Sequence, residues 1–181
     1  MDKAIVFLAD GFEELEALGV TDILRRGGIN AQTVSITDSS VVTGAHGISV
    51  TADCTLNSAE LAGAAAVVLP GGLPGASNLD ASVKVRETIM EQYRSGRIVA
   101  AICAAPMVLG GLGILKGRNA TCYPGFEDKL VGAQTTGGDV EVSDNVITGK
   151  GPGLVIKFAL EVVAAVKGKE VAAEVAAGLL V

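Results

Sequence analysis

Apolar residues in this chain come in two kinds of run, and the two kinds alternate. Lys3-Ala4-Ile5-Val6-Phe7-Leu8-Ala9 is continuously hydrophobic after its first residue, as are Ala64 to Leu69 and Ile98 to Ile102. Unbroken, partly β-branched runs of this length predict strands buried on both faces. Between them the spacing turns helical. Leu15, Leu18, Val20 and Ile23 predict a helix over Glu13 to Arg26, with Glu13 and Glu14 in its first turn and Gly27-Gly28 ending it. Val83, Val85, Ile89 and Met90 predict a second helix over Ser82 to Arg94. Leu154 to Val166, with Pro152 just ahead, and Glu170 to Ala177 predict two more.

The shorter runs fill the gaps. Ala31 to Ile36 predicts a strand, followed by a hairpin of Val41–Thr43 and Ile48–Thr51 closed by Gly44-Ala45-His46-Gly47. A short helix capped by Asn57 or Ser58 is expected next. Ala120 to Tyr123 predicts a short strand containing Cys122, turned by Pro124-Gly125. A second hairpin, Asp139–Val142 with Val146–Thr148, turns at Asp144-Asn145. Strand and helix in alternation predict an α/β fold, doubly wound: a flavodoxin-like three-layer sandwich with a mostly parallel sheet, helices on both faces and two decorating hairpins. With no repeat, linker or low-complexity stretch, residues 1–181 read as a single domain.

One of the buried strands ends on a nucleophile. Ile98 to Ile102 stops at Cys103, and Ala104-Ala105-Pro106 leads straight into Met107-Val108-Leu109. A strand passing tightly into a helix through a nucleophilic residue is an elbow, which lifts that side chain to the carboxyl edge of the sheet, where open α/β folds bind ligands. Small neighbours (Ala100, Ala101, Ala104, Ala105) suit the crowding of such a turn. The N–H groups of the following helix are expected to favour a thiolate. The alternative is a buried cysteine acting as a small hydrophobe.

Composition narrows the function classes. A net charge of −6 disfavours a nucleic-acid partner, and no apolar run reaches the ~18 residues of a membrane helix. The chain enters its first strand at Lys3, so no signal peptide is expected. Cys54, Cys103 and Cys122 are an odd number, widely spaced, which suits a reducing cytoplasm and neither a disulfide framework nor a metal site. Pro70-Gly71-Gly72-Leu73-Pro74-Gly75 either offers backbone N–H groups to an oxyanion or is only a turn, and it lacks the spacing of a nucleotide site; no cofactor is expected. His46, the only histidine, is placed at a hairpin tip, where it either joins a site or is merely solvated.

Four segments carry a resemblance: Gly11-Phe12-Glu13-Glu14-Leu15-Glu16, Leu69-Pro70-Gly71-Gly72, Ala100-Ala101-Ile102-Cys103-Ala104-Ala105-Pro106 and Gly151-Pro152-Gly153. In this order and spacing, nearly end to end, they resemble the ThiJ/PfpI superfamily and its DJ-one branch of deglycase-type proteins. The resemblance implies that Cys103 is an oxidisable nucleophile and Glu16 a protonated glutamate that hydrogen-bonds it. It assigns the backbone N–H groups of Gly72 and Ala104, next to Gly71, to an oxyanion pocket. Arg26 matches a basic residue near the site at a dimer contact, and a homodimer through the first helix and the neighbouring hairpin is implied. Two positions depart from the pattern. Tyr123 stands where some members have histidine, and His46 replaces a usual arginine, offering a pH-dependent charge to the neighbouring subunit's pocket. Ala104 follows the cysteine where the protease-like branch has histidine, and nothing after His46 supplies the late histidine of glutamine amidotransferases.

Glu13 and Glu14 are explained by the helix dipole alone, whereas Glu16 is expected to point over the sheet edge at Cys103. A thiol and a carboxyl in contact do not both ionise, so the thiol pKa is expected to fall and that of Glu16 to rise. The implied activity is glyoxalase III or deglycase chemistry on α-oxoaldehydes such as methylglyoxal, or on glycated proteins. The alternative is a redox sensor or chaperone acting through oxidation of Cys103 to a sulfinate.

Overall fold

The computed structural model describes residues 2–181. β1 (Lys3–Leu8) leads through Asp10-Gly11 into α1 (Glu14–Arg26), and β2 (Asn30–Ser35) then pairs parallel to β1. β3 (Val41–Thr43) and β4 (Ser49–Thr51) form the first hairpin, and β5 (Cys54–Thr55) adds a short edge to β2. β6 (Ala66–Leu69) returns to the other side of β1. After α2 (Gly75–Ala81) and α3 (Val83–Arg94), β7 (Ile98–Ile102) pairs with β6 and runs into α4 (Pro106–Gly111). β8 (Asn119–Ala120) and β9 (Gln134–Thr135) make a small separate pair. β10 (Val140–Ser143), β11 (Val146–Gly149), α5 (Val155–Lys167) and α6 (Lys169–Leu179) complete the chain.

The main sheet has seven strands in the order β10-β11-β7-β6-β1-β2-β5, parallel except for the β10–β11 pair. This is the doubly wound α/β sandwich, with its core split into two layers. Ile5, Phe7, Val67, Leu69, Val99 and Ala101 face one side, where α2, α3 and α4 contribute Leu79, Val85, Ile89, Val108 and Leu109. Ala4, Val6, Ala66, Val68, Ala100 and Ile102 face the other, against Val20, Leu24, Phe158 and Val162 of α1 and α5. Each strand alternates sides at period two, yet both sides are covered, so the apolar runs are unbroken.

The strand order reverses between β1 and β6, and the loops after β1, β6 and β7 converge at that crevice. The structure departs from the sequence-based expectation in four places. No helix follows Asn57 or Ser58; the Ser58 hydroxyl and the Thr55 backbone bond each other and close a turn instead. α2 was not foreseen, because seven residues carrying only Ala76 and Leu79 as buried apolar side chains show no usable period. The second hairpin is not a decoration: β11 pairs parallel with β7, which makes β10 the antiparallel edge of the main sheet. Cys122 is buried, as expected of a packing residue, but lies just past β8 rather than in a strand. No helix among the described residues is long and apolar enough to cross a membrane.

Candidate active site

Cys103 sits where β7 gives way to α4, with φ at +64°. That left-handed conformation is uncommon and costly for a residue with a Cβ, and it concentrates at functional turns. Its backbone is held at both ends: the N–H donates to Gly149 O at 2.9 Å and the carbonyl accepts from Tyr123 N at 2.8 Å. The side chain is 8% exposed and opens onto a cavity of about 260 Å³. Glu13, His46, Leu73, Tyr123 and Phe126 are among the residues lining it.

Glu16 comes up from the first turn of α1 and is completely buried. Its position is set by Glu13, the N-cap, whose carboxylate accepts from Glu16 N at 2.8 Å. Glu16 Oε2 accepts the Gly71 N–H at 2.7 Å, while Oε1 is buried with no donor meeting it among the described residues. Burial pushes the Glu16 carboxyl up to about 7, against the Gly71 N–H and the Cys103 thiol, which pull it down. The rise expected of Glu16 is present.

Beside an ionised Glu16 the thiol does not fall. Burial, with the charge of an ionised Glu16 and the hydrogen bond to it, pushes Cys103 up to about 12; the backbone N–H groups of Gly72 and Ala104 pull it back. The donors at sulfur are the individual backbone N–H groups of Gly72 and Ala104, which precede the first residue of α4. The two side chains compete for one negative charge: the pair gives up its first proton near 7 and keeps its second to far higher pH.

Gly71 sets how close this pair can be. A Cβ there would lie 2.7 Å from Cys103 Cβ, 2.8 Å from Glu16 Oε2 and 2.9 Å from Ala104 N. Gly71→Ala is therefore expected to wedge acid and thiol apart and to lower turnover by about 100-fold, the size of a lost general acid or base. Circular dichroism should show the fold retained.

His46 lies at the β3–β4 tip and lines the cavity of its own chain. Glu14, assigned to the helix dipole by its position, instead ties that tip down. Its carboxylate accepts His46 N–H at 2.7 Å and lies 2.8 Å from His46 Nδ1. Burial would raise the Glu14 carboxyl, but the bonds from the His46 ring and backbone hold it below its ordinary value. Gly44 leaves room for the carboxylate, which a Cβ there would strike. A buried acid facing a glycine-closed hairpin was the signal available, but the facing itself is set by the fold.

Tyr123 lines the cavity beside Cys103. Arg26 does not join the cluster. It lies in the last turn of α1, ten residues from Glu16 and so about 15 Å along the helix, where it pairs with Asp22 at 2.7 Å. Glu13, Glu14 and His46 are the one trio among the described residues with metal-ligand chemistry. Their oxygens are already engaged by Glu16 N, His46 and Ile48 N, and the trio acts as a hydrogen-bond cluster.

Residues 2–165 match the DJ-1/PfpI family over most of the chain. The chain belongs to that family. It is 37% identical to protein dj-1beta of Drosophila melanogaster, covering 99% of this chain and 97% of that one. It is 34% identical to the glutathione-independent glyoxalase DJR-1.2 of Caenorhabditis elegans over 87% of this chain and 84% of the other. It superposes on the oxidised DJ-1 of Toxoplasma gondii with a TM-score of 0.95, at 34% identity over 99% and 98% of the two chains. The chain spans less than half the length of two Arabidopsis thaliana relatives, DJ-1 homologs A and B, at 41% of homolog B and 46% of homolog A, with 36% identity to each. As a DJ-1/PfpI member, the chain shares its three-layer architecture with structures that carry a DJ-1 name.

Proposed function

We propose that this chain is a cofactor-free, cysteine-dependent enzyme converting α-oxoaldehydes such as methylglyoxal to 2-hydroxy acids. The observation that carries the reading is a buried carboxyl paired with an elbow cysteine at the floor of a cavity. The glyoxalase name of the C. elegans relative supports the substrate class. Early glycation adducts of proteins release the same aldehydes, so apparent deglycase activity follows from aldehyde removal.

Between the two proton losses the single charge rests on sulfur. An ionised Glu16 would leave Oε1 as a buried anionic oxygen with no donor, an uncompensated charge. A proton on Glu16 removes that cost and supplies an O–H donor to the sulfur, which Gly72 N–H and Ala104 N–H also stabilise. The thiolate adds to the aldehyde carbon, forming the C–S bond, and the carbonyl oxygen takes the Glu16 proton to give a hemithioacetal. The same backbone N–H groups stabilise the developing oxyanion. Glu16 then removes the proton on C1 to give an enediol and returns it to C2, leaving a thioester. Water cleaves the C–S bond, releasing the 2-hydroxy acid and the thiolate. Lactate formed from methylglyoxal without glutathione tests this; its absence at saturating aldehyde overturns it.

A second reading has its own support, the oxidised state of the T. gondii relative. The same accessible, anionic sulfur is oxidisable to a sulfinate, making the chain a redox sensor or protective partner. Selective sulfinate at Cys103 after mild peroxide, with negligible turnover, favours the sensor. A homodimer through α1 and the β3–β4 hairpin is supported by Leu15 and Leu18, 64% and 41% exposed one helical turn apart, and by Ile48. Sedimentation of the native chain, with Leu15→Glu as the disrupting variant, checks it. Three free cysteines favour a reducing, cytoplasmic setting.

A further inference from the structure

His46 occupies the mouth of the Cys103 cavity in a fixed tautomer. Its Nδ1 lies 2.8 Å from Glu14 Oε2, and an ionised carboxylate only accepts, so Nδ1 carries a hydrogen. The ring is 70% exposed and its other nitrogen, Nε2, is left for whatever enters the cavity. In neutral His46 that atom is a lone-pair acceptor. In protonated His46 it is a cationic N–H donor.

The other titratable groups facing the ring are all acidic or neutral. Glu14 and Glu13 approach from the start of α1, with Glu13 Oε1 at 4.0 Å from Nδ1. Cys103 and Tyr123 share the cavity, with Glu16 buried beside the cysteine, and neither Lys nor Arg lines it. His46 is thus the cavity's one source of positive charge, and that charge depends on pH. The bond and charge of Glu14 raise the His46 pKa above its ordinary value.

We propose that His46 is a specificity-determining residue that binds the carboxylate of small 2-hydroxy or α-oxo acids when protonated and releases it when neutral. The inference rests on the aldehyde reaction above in one respect: that reaction's product is such an acid. Neutral α-oxoaldehydes gain nothing from the charge, so they enter at any pH, whereas the product is retained at low pH and expelled as pH rises through the His46 pKa. The carboxylate exists only after hydrolysis of the thioester, so the effect of His46 falls on product inhibition.

Because the chain has one histidine, its imidazole proton resonances give an unambiguous titration of the whole protein. Saturating lactate should raise the His46 midpoint by about one pH unit, corresponding to ~10-fold tighter binding to the charged form. Hydroxyacetone, the same size without the carboxylate, should leave it in place. Glu14→Gln should lower the midpoint of the free protein. Blocking the cavity by alkylating Cys103 should abolish the lactate effect. A lactate effect no larger than that of equimolar sodium chloride, or one surviving alkylation, overturns the proposal. The titration needs no turnover. A lactate-dependent midpoint in a chain that makes no lactate from methylglyoxal supports the His46 site and removes only the catalytic reading.

Discussion

Replacing Glu16 with glutamine is expected to cost ~10³-fold or more in kcat/KM for methylglyoxal while making the folded chain more stable above neutral pH. The activity loss follows from the proton inventory. Glutamine fills the same space and still accepts the Gly71 N–H through its carbonyl oxygen, but it neither gives nor takes a proton at the enediol steps. The stability gain has the opposite origin. Burial raises Glu16 from its ordinary 4.5 to about 7, so the folded state holds the proton more tightly than the unfolded chain does. Because acid and thiol share one charge, that contribution is fully present below about pH 4.5 and is lost as pH rises through the pair's first proton loss near 7, whichever atom gives it up. At 1.36 kcal/mol per pH unit the interval amounts to about 3 kcal/mol, or on the order of 5–10 °C in Tm for a chain of this size. Thermal unfolding at pH 5 and pH 8 checks it: the Glu16→Gln chain should gain on wild type between the two. Equal Tm differences at both pH values would mean that the carboxyl is not held neutral by its surroundings.

Cys103→Ser is the second large effect, and it separates the sulfur from the shape of the elbow. Serine is close to cysteine in size and keeps the backbone bonds to Gly149 and Tyr123, so the fold should be retained. Its hydroxyl ionises far less readily than a thiol; turnover should fall by ~10⁴-fold. Arg26→Ala, at the other end of α1 with its Asp22 partner, should leave the activity of a single chain nearly unchanged. Steady-state kinetics on the two variants give the contrast. A Cys103→Ser chain retaining a tenth of wild-type turnover would move the chemistry elsewhere in the cavity.

Much of this architecture is written locally. β1, β6 and β7 are legible because strands covered on both faces need an apolar residue at every position. Cys103 is legible because a strand ending on a nucleophile among alanines is a local event. Glu16 is half legible: its place in the first helical turn can be read, but its meeting with Cys103 requires β1 and β7 to flank β6, a long-range fact that the four resembling segments supply and the spacing does not. Glu14 was misread for the same reason. As a helix-start acid it needs no explanation, and only the folded hairpin reveals His46 above it. Arg26 lies at the far end of α1 from Glu16 within its own chain, paired with Asp22. The thiol shows the same dependence on long-range contact: burial and an ionised Glu16 push it up, the N–H groups of Gly72 and Ala104 pull it back, and which atom holds the charge is decided by Glu16 rather than by the local turn. α2 and the missing helix near Asn57 show the same limit, where short segments rich in Gly, Ser and Thr are decided by side-chain to backbone bonds.

The central claim is that the Glu16–Cys103 pair carries its one charge on sulfur. Ultraviolet absorbance of the Cys103 thiolate, followed against pH in the native chain with a Cys103→Ser chain subtracted, tests it most directly. The account predicts thiolate absorbance already present at neutral pH, because Glu16 keeps the shared proton. Absorbance that stays absent until the pH approaches 12 would place the charge on the carboxylate and contradict it.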